Sequence, residues 1–406
     1  MPAIPVTRSS IRLLPDPKRL ITKSYVPADN DPAAANTRAR RLIERALAMP
    51  SSEVTETLAG LQEGFGARHA DLDAVFIRGF SAVSHLIPDT AVVTGDTLRL
   101  IGAYFVHEYS LEAAALTNPS IVADPDQTDT PSGSLRVIIS LRAIGEGHIS
   151  SIEFRSGLLG QDGDIEVAPP REPIPGQRQS PAFDKPVFAA KLEEMGAATN
   201  LVYRVLDQLA DNFAMADLEG ALADLAKREA SANAVHHATQ MIHWLASSNY
   251  ELSFPQQSRV SQRILFPNGP AESRGMEDAR MVRFAEPDGS VTYYAPYTAY
   301  DGFRILPQLI ETKDFQTFRI VTLNGRAAAN KGIAIFPRRI AGRYAALARC
   351  DGENNFLMLS DHIRFWHDAE PIQLPSRPWE LMQVGNGGAA LVCAAGRGAV
   401  AEGEPG

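Results

Sequence analysis

The chain has 406 residues, 45% of them apolar and 21% charged, enough to bury a sizeable core and to hold more than one domain. Its formal net charge of −9 is spread without long acidic or basic runs, which argues against a nucleic-acid groove or a membrane-surface patch and predicts a small neutral or anionic ligand. No apolar run approaches the roughly 18–20 residues of a membrane span, and the N-terminus has no apolar core followed by a small-residue cleavage site. Cys350 and Cys393 form no Cys-x-x-Cys pair, so the expectation is a cytoplasmic protein with free thiols and neither a disulfide scaffold nor a thiolate zinc site.

Residues 1–35 are rich in Pro, Asp and Ala without a lasting period and read as an extended arm. A mainly helical region is expected over 36–245. Its first helix starts near Thr37 with Leu42, Ile43, Ala46 and Leu47 on one face; after Pro50, the Ser51-Ser52 pair can cap a second helix carrying Val54, Leu58 and Leu61. RVIISL (136–141) and ISSIEF (149–154) predict a hairpin around Gly145 and Gly147, near 135–168. A polar, proline-rich linker runs from about 168 to 186. The helical period then returns, with Leu201, Val205 and Leu209 on one stripe and Leu218, Leu222 and Leu225 on another, the latter with Asp217 as a candidate N-cap. After Tyr250 the sequence is strand-rich: ARMVRFAE, SVTYYAPYTAY, FRILPQLIET, GIAIFPRRI, GRYAALAR and NFLMLS alternate with period two between short turns. That is a meander, and periodicity alone leaves a sandwich and propeller blades equally open.

The segment Arg274-Gly275-Met276-Glu277-Asp278-Ala279-Arg280 packs two acids and two bases into seven positions where a strand begins. Mixed charges at a loop tip are usually only solvated, but functional groups also cluster on such scaffolded loops. Tyr293, Tyr294, Tyr297 and Tyr300, with Asp301, supply the aromatic faces and hydroxyls that hold sugar rings, although a half-buried strand uses tyrosines too.

With Tyr297-Thr298-Ala299, Asn330-Lys331, Ile335-Phe336-Pro337, Tyr344 to Arg349, Trp379-Glu380 and Gly385-Asn386-Gly387-Gly388 added, the sequence resembles glycoside hydrolase family 130, β-mannoside phosphorylases and β-mannosidases, over about 245–390. The resemblance implies an all-β five-bladed propeller, partial here because the sequence stops where the family continues, with 246–390 as catalytic domain beside the largely helical N-terminal region. It implies inverting cleavage of β-mannosides by hydrolysis or phosphorolysis, with a mannose-containing oligosaccharide and inorganic phosphate as partners and no cofactor. The family's acid, the Asp of Glu-Asp-x-Arg, falls on Asp278. Glu277, Arg280, Tyr297 and Asp301 are the expected substrate-binding residues; Lys331 and Arg349 are the expected phosphate ligands. In an extended segment Glu277 and Asp278 would point to opposite sides. Gln383 stands where the phosphorylases tend to carry lysine, which weakens an anion site. A hydrolase would need a carboxylate base, for which Asp351, Glu353, Asp361 and Glu380 are unranked candidates.

Other features read more plainly. His236, His237 and His243 lack an acid at helical spacing to complete a metal set, so no metal is expected. Glu146-Gly147-His148 is read as a turn needing no function, and the Gly-Asn-Gly-Gly run as a turn between blades, since no phosphate-loop context surrounds it. The Ala- and Gly-rich segment 391–406 is expected to be a low-complexity tail, and the sequence to be incomplete at its C-terminus. The helical region is expected to brace the propeller or to mediate self-association into a homo-oligomer. A non-catalytic propeller that binds glycans or partners is the alternative, because one fold hosts many functions.

Overall fold

The structure is a computed structural model and describes residues 9–29, 36–69, 71–229 and 231–390. The expected tail at 391–406, with Cys393, lies outside the described residues. The protein divides into two compact units: one of residues 16–113, the other of 1–15 and 114–406.

In the smaller unit, strand β1 (Leu20–Ser24) is followed by helices α1 (Thr37–Leu47), α2 (Ser51–Phe65), α3 (Leu72–Val83) and α4 (Gly95–Tyr104), and then by β2 (Val106–Ser110). The expected extended arm thus contains a strand: β1 pairs antiparallel with β2, Leu20 opposite Ser110. The apolar stripe of α1 is buried at Ala39, Ile43 and Ala46, against Val83, Ile101 and Phe105. The Ser51-Ser52 pair does not cap α2: the backbone enters from Pro50 in an extended conformation, with no side-chain hydrogen bond at the cap. The caps of α3 and α4 are Asp71, accepting from Ala74 N, and Thr94, accepting from Thr97 N.

The larger unit opens with β3 (Ala115–Ala123), β4 (Leu135–Ile144), β5 (Ser150–Leu159) and β6 (Ile165–Val167). These form an antiparallel four-stranded meander. β7 (Gln177–Gln179) then pairs with a later strand, so the expected linker supplies a short, fully exposed edge. After β8 (Phe183–Asp184) come α5 (Lys185–Glu194), α6 (Asn200–Leu206), β9 (Asn212–Phe213), α7 (Met215–Arg228) and α8 (Ala232–Ser247). These helices share a core of Leu192, Val205, Leu218, Leu222 and Ile242. Asp217 is not the cap of α7: it sits one turn in and accepts from the backbone N–H of Ala214, the residue that precedes the helix. His236 and His237 are exposed on α8, and among the described residues no group of His, Cys, Asp and Glu could hold a metal ion.

Next come β10 (Tyr250–Ser253), β11 (Gly275–Glu277), β12 (Val282–Ala285), β13 (Val291–Tyr300), β14 (Ile305–Thr312) and β15 (Thr317–Thr322). β12 to β15 are a second four-stranded meander. A third is built from β16 (Ala334–Ile335), β17 (Tyr344–Ala348), β18 (Asn355–Ser360) and β19 (Asp368–Gln373). The first two meanders join into one sheet of eleven strands because β11 lies between them, antiparallel to β13 and parallel to β5. That sheet draws strands from both sides of the boundary expected at 245–246. The third meander is a separate four-stranded sheet, so the described strands fall into sheets of eleven and four with two two-stranded ladders. No helix among the described residues is long and apolar enough to cross a membrane.

A candidate cationic cleft around Asp278

The site begins at a close approach of two strands. Gly275 has φ +146°, and a Cβ there would meet the backbone N of Ser150 at 2.9 Å, so only glycine lets β11 lie beside β5. Three residues on, Asp278 takes φ +55°, a left-handed conformation that aspartate tolerates better than most residues. This overturns the expectation that Glu277 and Asp278 diverge: the extended alternation ends at Glu277, and both carboxylates turn to one guanidinium. Arg142 of β4 donates from Nη2 to Glu277 Oε1 at 2.8 Å and from Nη1 to Asp278 Oδ1 at 2.9 Å. Its Nε donates to Ser150 Oγ at 2.9 Å. Glu277 also accepts from Lys331 Nζ at 2.8 Å, so it is held between two cations and is 12% exposed.

The opposite wall is the turn at residues 330–332. Asn330 and Gly332 both have positive φ, and the Gly332 carbonyl accepts from Arg280 Nη1 at 3.3 Å and Asn386 Nδ2 at 2.9 Å. Arg349 stands beside this turn, its Cβ 3.8 Å from where a Cβ on Gly332 would lie, and its Nη1 is 3.5 Å from where one on Gly385 would lie. Asp278, Arg280, Lys331, Arg349, Gln383 and Asn386 thereby line one cleft of ≈ 50 Å³. Arg349 Nε and Asn386 Oδ1 are buried without a hydrogen-bond partner among the described residues. Counting Arg142, four cationic side chains meet two carboxylates here, in a protein whose net charge is −9. Such a cleft suits an anion with a carboxyl at its side.

The structure brings together five of the expected residues, Glu277, Asp278, Arg280, Lys331 and Arg349. It does not bring Tyr297 or Asp301. Tyr297 is 4% exposed, and its hydroxyl lies 2.8 Å from Glu272 Oε2 and 2.7 Å from Gln308 Oε1 in the core. Asp301 closes its own turn, accepting from Phe303 N and Arg304 N at 2.8 and 2.7 Å. Tyr293 and Tyr300 also spend their hydroxyls on backbone carbonyls, those of Ala123 and Gly302. None of the four candidate bases lines the cleft. Asp351 orders the Glu353-Asn354 turn, and Glu380 accepts from Ser376 N and Arg377 N.

A buried polar cluster around Glu272 is announced by no sequence pattern. Glu272 is fully buried and accepts from the Tyr250 and Tyr297 hydroxyls and from the backbone N–H groups of Asn268 and Gly269. Burial pushes its carboxyl above the usual range, and the four hydrogen bonds oppose that only in part. Asn118, which lines the cleft, and Arg142, which holds Asp278 and Glu277, are missed by the sequence reading. Asn118 reaches the cleft because β3 bulges between Thr117 and Ser120, for which an Asn-Pro pair inside a strand is the sequence signal.

No family model matches the sequence. It is 31% identical over 137 residues to a 1,2-β-oligomannan phosphorylase of Thermoanaerobacter sp. (strain X514), covering 32% of this chain and 43% of that protein. It is 34% identical over 86 residues to a β-1,2-mannobiose phosphorylase of Listeria innocua serovar 6a, covering 21% and 22%. The matches thus span less than half the length of these curated relatives. Among solved structures, the Listeria innocua β-1,2-mannobiose phosphorylase in complex with β-1,2-mannobiose aligns with 68% of this chain and 67% of its own at 16% identity and a TM-score of 0.28. A structure from the GH130 family of mannoside phosphorylases, which contains glycoside hydrolases that target β-1,2 mannosidic linkages in Candida mannan, aligns with 71% of this chain and 60% of its own at 10% identity and a TM-score of 0.35.

Proposed function

We propose that this protein, a relative of the mannoside phosphorylases and hydrolases of glycoside hydrolase family 130, cleaves β-mannosides with inversion, and that Asp278 is its proton donor. The observation that carries the reading is the meeting of the Asp278 carboxyl with Arg280, Lys331 and Arg349 in one cleft. Cleavage needs a proton for the departing oxygen and a nucleophile arriving from the opposite face of the sugar. Asp278 gives the proton. As the C–O bond breaks, its electron pair passes to that oxygen, and a phosphate oxygen bonds to the anomeric carbon, or a water oxygen does so and its proton passes to solvent. Lys331 and Arg349 are read as the cations that receive phosphate, with Gln383 adding a hydrogen bond but no charge. Arg280 and Glu277 are read as holding the sugar or its immediate surroundings.

We read the three four-stranded meanders as propeller blades, and the catalytic region as reaching back from 246–390 into β3 and β4, because Asn118 and Arg142 contribute to the cleft. Incubation with β-1,2- and β-1,4-mannobiose, with and without phosphate, tests the function: mannose or mannose 1-phosphate is the expected product. A glycan-binding module without turnover is the alternative reading, because one fold hosts many functions. Saturable binding without product would decide for it.

A further inference from the structure

Arg142 lies outside the blocks that resemble the family, on a strand 136 residues before Asp278. It is a charged residue near the C-terminal end of β4, between the buried Leu141 and Ala143, and its side chain is 20% exposed. Its guanidinium is tied at three points, to Ser150 Oγ, Glu277 Oε1 and Asp278 Oδ1, at 2.8 to 2.9 Å. A planar fork held this way is a fixed frame, which a flexible ammonium would not be. It grips Asp278 through one oxygen only, and no hydrogen bond reaches Oδ2 among the described residues.

A carboxylic acid carries one proton, and the oxygen that accepts from a guanidinium is the poorer place for it. We infer that Arg142 is a positioning residue: it fixes the plane of the Asp278 carboxyl and assigns the transferable proton to Oδ2. The inference rests on the reading of Asp278 as proton donor. When the proton leaves Oδ2 for the glycosidic oxygen, Asp278 becomes a carboxylate, and the Arg142 bond, neutral at its acceptor before transfer, becomes charge-assisted at both ends. That strengthening favours the transition state over the bound substrate, so its loss falls on kcat rather than KM.

The test compares Arg142→Gln, Arg142→Lys and Asp278→Asn in the full-length protein, on β-1,2-mannobiose and on a nitrophenyl β-mannoside whose leaving group needs little protonation. Arg142→Gln is expected to lower kcat on mannobiose about 10²-fold, at the low end of general-acid effects, with KM within about threefold. On the nitrophenyl substrate the loss should be under about tenfold. Arg142→Lys should fall between, and guanidinium ion added to the Gln variant should restore part of kcat. Equal losses on both substrates, together with a lowered melting temperature, would make Arg142 structural and overturn the inference. Full turnover of mannobiose by Arg142→Gln, with Asp278→Asn impaired, would overturn it and leave Asp278 as donor. Full turnover by Asp278→Asn, or none by the unaltered protein on either substrate, would remove the reading beneath it.

Discussion

Lys331 donates to Glu277 Oε2 at 2.8 Å, so one of the two cations expected to receive an anion is already engaged by an acid. Glu277→Gln removes that charge while keeping the side chain's size. We predict that half-saturation by phosphate shifts about tenfold lower in concentration, the order expected when a neighbouring cation is freed for charge-assisted bonding. Stability should fall by about 1–3 kcal/mol, because Arg142 and Lys331 are left with one neutral amide oxygen in place of a partly buried carboxylate. Phosphate titration and thermal unfolding measure the two effects, and unchanged phosphate binding would mean that Lys331 does not contact the anion.

Asp278→Asn keeps shape and tolerates the same left-handed backbone, but has no acidic proton. Turnover of natural mannosides should drop by about 10²- to 10⁴-fold, with folding and sugar binding preserved. Nitrophenyl mannosides should lose much less. Near-normal turnover of mannobiose would pass the role to another residue.

Gln383 lines the cleft with Arg349. Product formation by the unaltered protein is expected to proceed without phosphate. Gln383→Lys should raise the share of mannose 1-phosphate among the products and tighten phosphate by about tenfold, since charge-assisted bonds are about twice as strong as neutral ones. Rates with and without phosphate check this. Strict phosphate dependence of the unaltered protein would show that Lys331 and Arg349 suffice.

Glu272 predicts a pH dependence. Burial raises its folded-state pKa, so the folded protein holds this proton more tightly than the unfolded one does. The resulting stabilisation is complete below the ordinary glutamate pKa, about 4.3, and is lost as pH rises through the raised value. Glu272→Gln removes the titration and retains an acceptor for Tyr250. Melting temperatures between pH 4 and 8 should therefore move in the variant's favour as pH rises, whereas parallel curves would contradict the argument. Glu272→Ala should cost about 1–3 kcal/mol for each buried donor left unpaired.

Much of this is legible in the sequence because periodicity is local. Helix α1, the strands β13, β14 and β18, and the Gly275–Arg280 block all announce themselves within a short window. What stays hidden depends on contacts between distant segments. The apolar run that marks β4 ends at Leu141, one residue short of Arg142, because a cation ends such a run unless its partners are known. Tyr297 is misplaced on the sugar for the converse reason: on a strand buried on both faces, an alternating tyrosine points into the core as readily as out of it, and the decisive partner, Glu272, sits 25 residues away. The opposed directions expected of Glu277 and Asp278 fail on a single positive φ, which no pattern of residue types encodes.

The long separation between Arg142 and Asp278 bears on the order in which the molecule assembles. The hairpins from β12 to β15 close over a few residues each, whereas the Arg142 bond closes a loop of 136. By the logarithmic rule for loop entropy, that closure costs about 2 kcal/mol more than a ten-residue turn. Folding should therefore pass through a stage in which the second meander is formed and the acid hangs unframed at its edge. Pulse-labelled hydrogen exchange would show it as early protection of β13 and β14 amides and late protection at Gly275, the residue of β11 that pairs with Ser150 of β5.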